Sequence, residues 1–245
     1  MCYFVEINLS RKELEKRFKV PMIHDPRYMQ SNILSAFNQA FLPVITSEFP
    51  DIIQNYRWGL IPSWVKDEPT AIKISNSTYN ARAETIFEKA SFRSAAKYKR
   101  CLVLAHGFFE WHSSGKIKIP YYIKRKDDRP FAFAGLYEKW TNPLIEHTLE
   151  TVSIITTRAN PLMERIHNSK KRMPVILDIE KETEFIKGDL SKEDVNEFFD
   201  PIDENQLLAY PINKNLFLNF TDPLDPKLLS PVSDILPGDL FKDTI

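Results

Sequence analysis

The chain has only two cysteines, Cys2 and Cys101, which excludes a disulfide framework, and they do not stand at zinc-ligand spacing. Its five histidines, His24, His106, His112, His147 and His167, include no pair at the H-x-x-x-H spacing that puts two imidazoles on one helix face. Neither a metal site nor a cofactor is expected. Long apolar runs are missing too, since none approaches the roughly 18 residues that a membrane span requires. The N-terminus lacks the apolar stretch of a signal peptide, because Arg11, Lys12, Glu13 and Glu15 break it early. These absences lead to the expectation of a cytoplasmic, nucleoid-associated protein with no membrane partner. Glycine is scarce, six residues in all, so each is expected where the backbone needs it. No internal repeat or low-complexity linker divides the chain, and residues 1–245 are expected to form a single domain and a monomer.

The formal net charge is zero, but the charge is unevenly placed. Arg82 to Arg172 holds eighteen Lys and Arg against nine Asp and Glu, whereas Asp178 to Glu204 holds eleven acids against three lysines. A basic middle can bind a phosphate backbone even on a neutral protein, although an excess of this size also suits an ordinary solvated surface.

Ser10-Arg11-Lys12-Glu13 has the form of a capping box and predicts a helix to about Phe18, ended by Pro21; Ser191-Lys192-Glu193-Asp194 predicts another to about Phe199. Ala83 to Lys97 predicts a third. Tyr121 to Lys124, Phe131 to Leu136, Thr151 to Thr156 and Val175 to Leu177 are rich in β-branched and aromatic residues and predict strands. Strands interleaved with few helices, without βαβ alternation, predict an α+β fold: a mostly antiparallel sheet with a barrel-like core, flanked by short helices. Residues 223–245, rich in Pro, Asp and Leu, predict an extended C-terminal strap or tail.

Chemistry is concentrated first at Cys2. Methionine is normally trimmed before a side chain this small, which would leave Cys2 with a free α-amine (pKa about 7.7 to 8.0) and a thiol near about 8.5. An aldehyde can be captured by both, as an imine and then as a five-membered thiazolidine. Asn80, Arg82 and Glu84 alternate with alanines and are either a shared polar face or a helix entry. Glu110, between Phe109 and Trp111, is either a desolvated proton shuttle or an outward residue of a half-buried strand. His167 ends a predicted turn that opens with Asn160 as N-cap and Pro161; there its charged form would be favoured, unless it is simply structural. Lys170, Lys171 and Arg172 follow as a cationic cluster. Of the two tryptophans flanking Gly59 to Ser63, Trp58 suits the core and Trp64 suits base stacking. Cys101, within Cys101-Leu102-Val103-Leu104, suits the core.

Taken together, Met1-Cys2, Trp58-Gly59-Leu60-Ile61-Pro62-Ser63-Trp64, Asn80-Ala81-Arg82-Ala83-Glu84-Thr85, Gly107-Phe108-Phe109-Glu110-Trp111, Thr156-Thr157-Arg158-Ala159-Asn160 and His167 with Arg172-Met173-Pro174 resemble the SRAP family. This is the SOS-response-associated peptidase domain, which shields abasic sites in single-stranded DNA. The resemblance implies a β-rich barrel-like fold with a basic cleft, and a catalytic set of Cys2, Asn80, Glu110 and His167. It also implies DNA contacts from Arg82 and Trp64; Arg93 and Arg172, from the basic middle, are added to them. The expected function is a DNA-damage protein of the SOS response that forms a covalent thiazolidine crosslink with abasic sites in single-stranded DNA. The alternative is an N-terminal-nucleophile cysteine peptidase, acting on other proteins or only on Met1; Schiff-base chemistry would also be lyase-like. The chain departs from the family in four places. It has Cys2-Tyr3-Phe4 where the family often has Cys-Gly-Arg, His106-Gly107 for the usual Asp-Gly, three extra residues between His167 and Arg172, and no recognisable Asn-x-Ala-Pro motif near Ser31 to Pro43.

Overall fold

The computed structural model describes residues 2–232. Among them lie twelve strands: β1 (Phe4–Glu6), β2 (Leu34–Ser35), β3 (Phe41–Thr46), β4 (Gln54–Trp58), β5 (Asn80–Arg82), β6 (Arg100–Ala105), β7 (Gly107–Ser114), β8 (Ile117–Arg125), β9 (Phe131–Thr141), β10 (Thr148–Arg158), β11 (Arg172–Pro174) and β12 (Leu207–Pro211). Seven short α-helices accompany them: α1 (Arg11–Phe18), α2 (Glu68–Ser75), α3 (Arg93–Tyr98), α4 (Pro161–Ile166), α5 (Glu182–Phe185), α6 (Lys192–Asn196) and α7 (Lys214–Asn219). The fold is α+β and mostly antiparallel, and among the paired strands only β4 and β5 run parallel to β10. No helix among the described residues is long and apolar enough to cross a membrane.

One sheet has the order β12-β8-β7-β1-β2. In the other, β9 pairs with both β6 and β10, so the order β10-β4-β3-β6-β9 closes on itself as a barrel-like ring, with β5 and β11 added along β10. Strand parity then sorts the side chains. On β6, Cys101, Val103 and Ala105 enter one apolar layer, while Leu102 and Leu104 enter a second under the helices. Both faces are covered, which is why this strand is apolar at every position after Arg100. On β7, Phe108 joins Cys2, Val5 and Cys101 in the first layer, and Phe109 turns to a third with Tyr122 and Phe217. Glu110 therefore points toward the layer that holds Cys2.

Both predicted capping boxes form: the hydroxyls of Ser10 and Ser191 accept from the N–H groups of Glu13 and Asp194, whose carboxylates accept in return. The helix predicted over Ala83–Lys97 is broken instead. Residues 83–85 make a 3-10 turn, and α-helix begins only at Arg93. Ile86 and Phe92 are both buried, and six positions apart they would lie about 120° from each other on a continuous helix, at or beyond the edges of a core-facing stripe, so the bend brings both into the core. The strand predicted at Val175–Leu177 begins earlier, as β11, and 175–177 prolong its ladder: Val175 N–H donates to Ile155 O and Leu177 N–H to Ala132 O. Of the segment expected to form a strap, residues 233–245 lie outside the described residues. Residues 223–232 lie against the five-stranded sheet, where Pro223 O and Asp225 O accept from Asn32, Leu228 is buried, and Pro231 bridges to Ile212.

Candidate active site

Cys2 stands two residues before β1, fully buried, with its thiol 3.7 Å from Phe4 O. Burial pushes the Cys2 thiol well above its ordinary range, and the neighbouring Glu110 carboxylate adds to the rise. Asn80 reaches it from another part of the chain, its Nδ2 donating to Cys2 O at 2.8 Å. Asn80 opens β5, whose position is set on three sides. It pairs with Ile154 on β10, the Trp58 indole N–H donates to Tyr79 O at 2.9 Å, and the Thr78 hydroxyl donates to Leu60 O at 2.6 Å. Gly59 makes that last support possible: its φ of 112° is closed to other residues, and a Cβ there would lie 2.7 Å from Ser75 O. The other side-chain atom of Asn80, Oδ1, is buried with no hydrogen-bond partner among the described residues.

Glu110 is 2% exposed, and burial raises its carboxyl to about 7, so that near neutral pH both protonation states are populated. His167 stands at the end of α4, where Asn160 caps the first turn through Met163 N–H and Met163 and Ile166 anchor the helix in the core. Its Nδ1 lies 2.9 Å from Arg172 O and 3.5 Å from Glu110 Oε2. A carbonyl can only accept, so Nδ1 carries the proton and Nε2 the lone pair. The charged imidazole expected at a helix C-terminus is corrected here: burial lowers His167 to about 4, and at pH 7 the ring is neutral. The extra residues between His167 and Arg172 do not separate the pair, because Asn168 folds onto β7, accepting from Ser113 N–H at 3.0 Å and donating to Ser113 O at 2.9 Å.

The expected DNA contacts divide. Arg82 is exposed two residues after Asn80, and Arg93 is exposed at the first position of α3. Trp64 is 49% exposed, and its indole N–H lies 3.4 Å from Ala90 O, just ahead of α3. Trp58 is buried. Arg172 is half-buried and engaged: it forks onto the Glu84 carboxylate and also donates to Thr156 O, so its guanidinium braces β11 against the turn after β5. Lys170 and Lys171 remain exposed beside it. Sequence reasoning missed Tyr121, which pairs with Glu110 across β7 and β8 and keeps a buried hydroxyl without a hydrogen-bond partner among the described residues. Its only sequence signal was strand parity with Glu110. Among the described residues no three His, Cys, Asp or Glu side chains gather as a metal set.

The arrangement is a buried cysteine, the second residue of the chain, held through its carbonyl by an asparagine amide and facing a carboxyl tuned near neutrality that is backed by a neutral imidazole. Similar chains are known. A protein from Bacteroides thetaiotaomicron has a crystal structure that superposes with a TM-score of 0.86 at 37% identity, over 94% of this chain and 100% of that one. The abasic site processing protein YoqW of Bacillus subtilis (strain 168) is 43% identical over 178 residues, which is 72% of this chain and 76% of that protein. The abasic site processing protein YoaM of the same organism is 41% identical over 215 residues, 87% of this chain and 91% of its own. The family model for SOS response associated peptidase (SRAP) matches residues 1–217, and with that span, these identities and this fold the chain belongs to the SRAP family.

Proposed function

We propose that this chain processes abasic sites in DNA, and that it does so by linking Cys2 covalently to the ring-opened sugar in a single strand. The observation that carries the reading is the meeting of Asn80, Glu110 and Cys2 from three distant segments, with Asn80 Nδ2 on Cys2 O at 2.8 Å. Removal of Met1 is required, because it converts the Cys2 amide nitrogen into an amine. The sugar then approaches from the side of Asn80 and Tyr3, which are half-buried where Cys2 is covered.

The amine nitrogen forms a bond to the C1′ aldehyde carbon, and protonated Glu110 donates to the aldehyde oxygen as its C=O bond opens. The nitrogen gives up its two protons, one restoring Glu110 and one leaving with the hydroxyl as water, and the C=N bond of the imine forms. The Cys2 sulfur then bonds to C1′, its proton passes by way of Glu110 to the nitrogen, and C=N becomes a single bond in the closed thiazolidine. Amine, thiol and aldehyde are consumed and one water is released. A thiol raised by burial needs such a base, and a carboxyl near 7 serves as both donor and acceptor within one cycle. Neutral His167 steadies Glu110 and offers Nε2 as a proton acceptor. Asn80 Oδ1 is an acceptor for an N–H of the freed amine, which turns the nitrogen lone pair toward C1′. Exposed Arg82, Arg93 and Trp64 carry the strand, through phosphate contacts and stacking.

The test is intact mass after mixing the purified protein with an abasic single strand, which reports both loss of Met1 and gain of an adduct one water lighter than the sum. Cys2→Ala is expected to form no stable adduct; a heat-stable adduct from that variant sinks the assignment. Parallel incubation with peptide substrates separates this reading from a peptidase acting on other proteins.

A further inference from the structure

The chain neighbours of Cys2 and Asn80 carry an aromatic group that the chemistry above does not use, with a cation beyond it. Phe37 sits in the turn after β2 and is 57% exposed. The turn is fixed: Ser35 Oγ accepts from Phe37 N–H at 3.3 Å, and Gln39 closes it with a φ of 53°. Ala36 N–H donates to Tyr3 O at 2.9 Å, tying the turn to the residue after Cys2. The Phe37 ring lies 5.2 Å from the Tyr3 ring, tilted by 32°, and 5.6 Å from Tyr79, edge-on at 84°. Tyr3 and Tyr79 themselves meet at 6.2 Å. These two supports are the chain neighbours of Cys2 and Asn80, so the platform is coupled to the site by covalent geometry.

Arg57 lies beside Tyr79 and Ser75. Its Nη2 donates to Ser75 Oγ at 3.3 Å, and among the described residues its buried Nε has no hydrogen-bond partner and no carboxylate pairs with it. A half-buried guanidinium without a counter-ion calls for an anion. Tyr79 is the neighbour that Arg57 and Phe37 share, since its ring meets the exposed Phe37 ring at 5.6 Å and its hydroxyl acts on Arg57, and an exposed ring calls for a flat, weakly hydrated partner. One ligand class supplies both: a nucleotide, with its base on the ring and its phosphate on the cation. Phe4 also packs its ring on Phe37, and on Phe217, which holds the platform from its other side.

We propose that Phe37, braced by Tyr3 and Tyr79, stacks the nucleobase next to the abasic site, with Arg57 on the adjoining phosphate, and that the site therefore prefers a purine neighbour. This rests on the covalent-capture reading above. Purines offer the larger π face, so the preference follows from stacking without any base-edge contact. The experiment compares adduct formation rates at subsaturating strand concentration, on abasic oligonucleotides flanked by adenine or by cytosine. Wild type is expected to favour the adenine-flanked strand. Phe37→Ala should lose about fivefold or more on that strand and erase the preference, with Phe37→Trp restoring it. Arg57→Gln should keep the preference but weaken binding and reduce the salt dependence by about one phosphate contact. Equal rates on both strands for wild type, or a Phe37→Ala variant that keeps the preference, overturn the platform while leaving covalent capture standing. No adduct from wild type on either strand overturns covalent capture itself, and the platform with it. Phe37 is exposed and its truncation leaves no cavity, so loss of fold does not confuse the result.

Discussion

Glu110→Gln isolates the energetic cost of a buried carboxyl. In the unfolded chain this glutamate ionises near its ordinary 4.5, whereas in the fold it holds its proton up to about 7. Between those values the folded state binds more protons than the unfolded one, so stability falls as pH rises, and the loss is complete above 7. The displacement is worth about 3 kcal/mol. His167 acts in the opposite sense: lowered from 6.5 to about 4, it favours the folded state increasingly as pH rises from 4 to 6.5. That contribution is common to wild type and variant and cancels in the difference. The stability of Glu110→Gln relative to wild type should therefore climb by about 3 kcal/mol between pH 4.5 and pH 8. Any hydrogen bond the amide fails to reproduce adds only a constant offset. Urea unfolding followed by tryptophan fluorescence at four pH values measures it. A difference flat across that range would refute the buried, elevated carboxyl and with it the proton-shuttle role. The same variant should slow adduct formation, trading activity for stability.

Two further substitutions probe how the site is held. Gly107→Ala places a Cβ 2.3 Å from the Tyr122 ring, inside the third apolar layer, and should cost about 1 to 3 kcal/mol in thermal or urea unfolding; a neutral result would mean the ring does not pack there. Asn168→Ala removes both hydrogen bonds to Ser113 and should cost about 1 to 2 kcal/mol while lowering the adduct rate at unchanged strand affinity, which a single-turnover assay with varied DNA separates.

Much of the fold was legible because its signals are local. Ser10 and Ser191 bond within their own first turns, Asn160 and Pro161 open α4, and the apolar runs became β8, β9 and β10. The failures are places where a distant partner decides. Helix formers over 83–97 yield to the burial of Ile86 and Phe92, and the Glu84 carboxylate is turned to Arg172, 88 positions away. His167 could be named as a site residue, but its charge could not, because helix-end electrostatics favour the cation and only tertiary burial reverses that. Tyr121 and Arg57 were invisible for a similar reason: an unsatisfied hydroxyl or guanidinium is defined by what fails to surround it.

The departures from the family pattern show which distances the fold protects. The three extra residues after His167 could have swung the imidazole away, yet the separation from Glu110 is set by α4 and β7, which contact each other independently of the loop. The insertion leaves the path and is stitched back to β7 by Asn168, while Lys171 N–H returns to His167 O at 2.8 Å. His106, at the second departure, sits past the other end of the strand, with Nδ1 3.1 Å from Glu6 and Nε2 3.1 Å from Asp128 O. Both acceptors call for a proton. Burial opposes the cation, but the Glu6 carboxylate overrides it and raises the imidazole pKa. Two histidines flanking one strand thus shift in opposite directions: the hydrogen bond and charge of Glu6 outweigh burial at His106, whereas burial prevails at His167. Strand parity keeps the two apart, with Glu110 turned toward the layer of Cys2 and Glu6 toward Tyr122. A change on the His106 side can therefore alter stability without reaching Cys2.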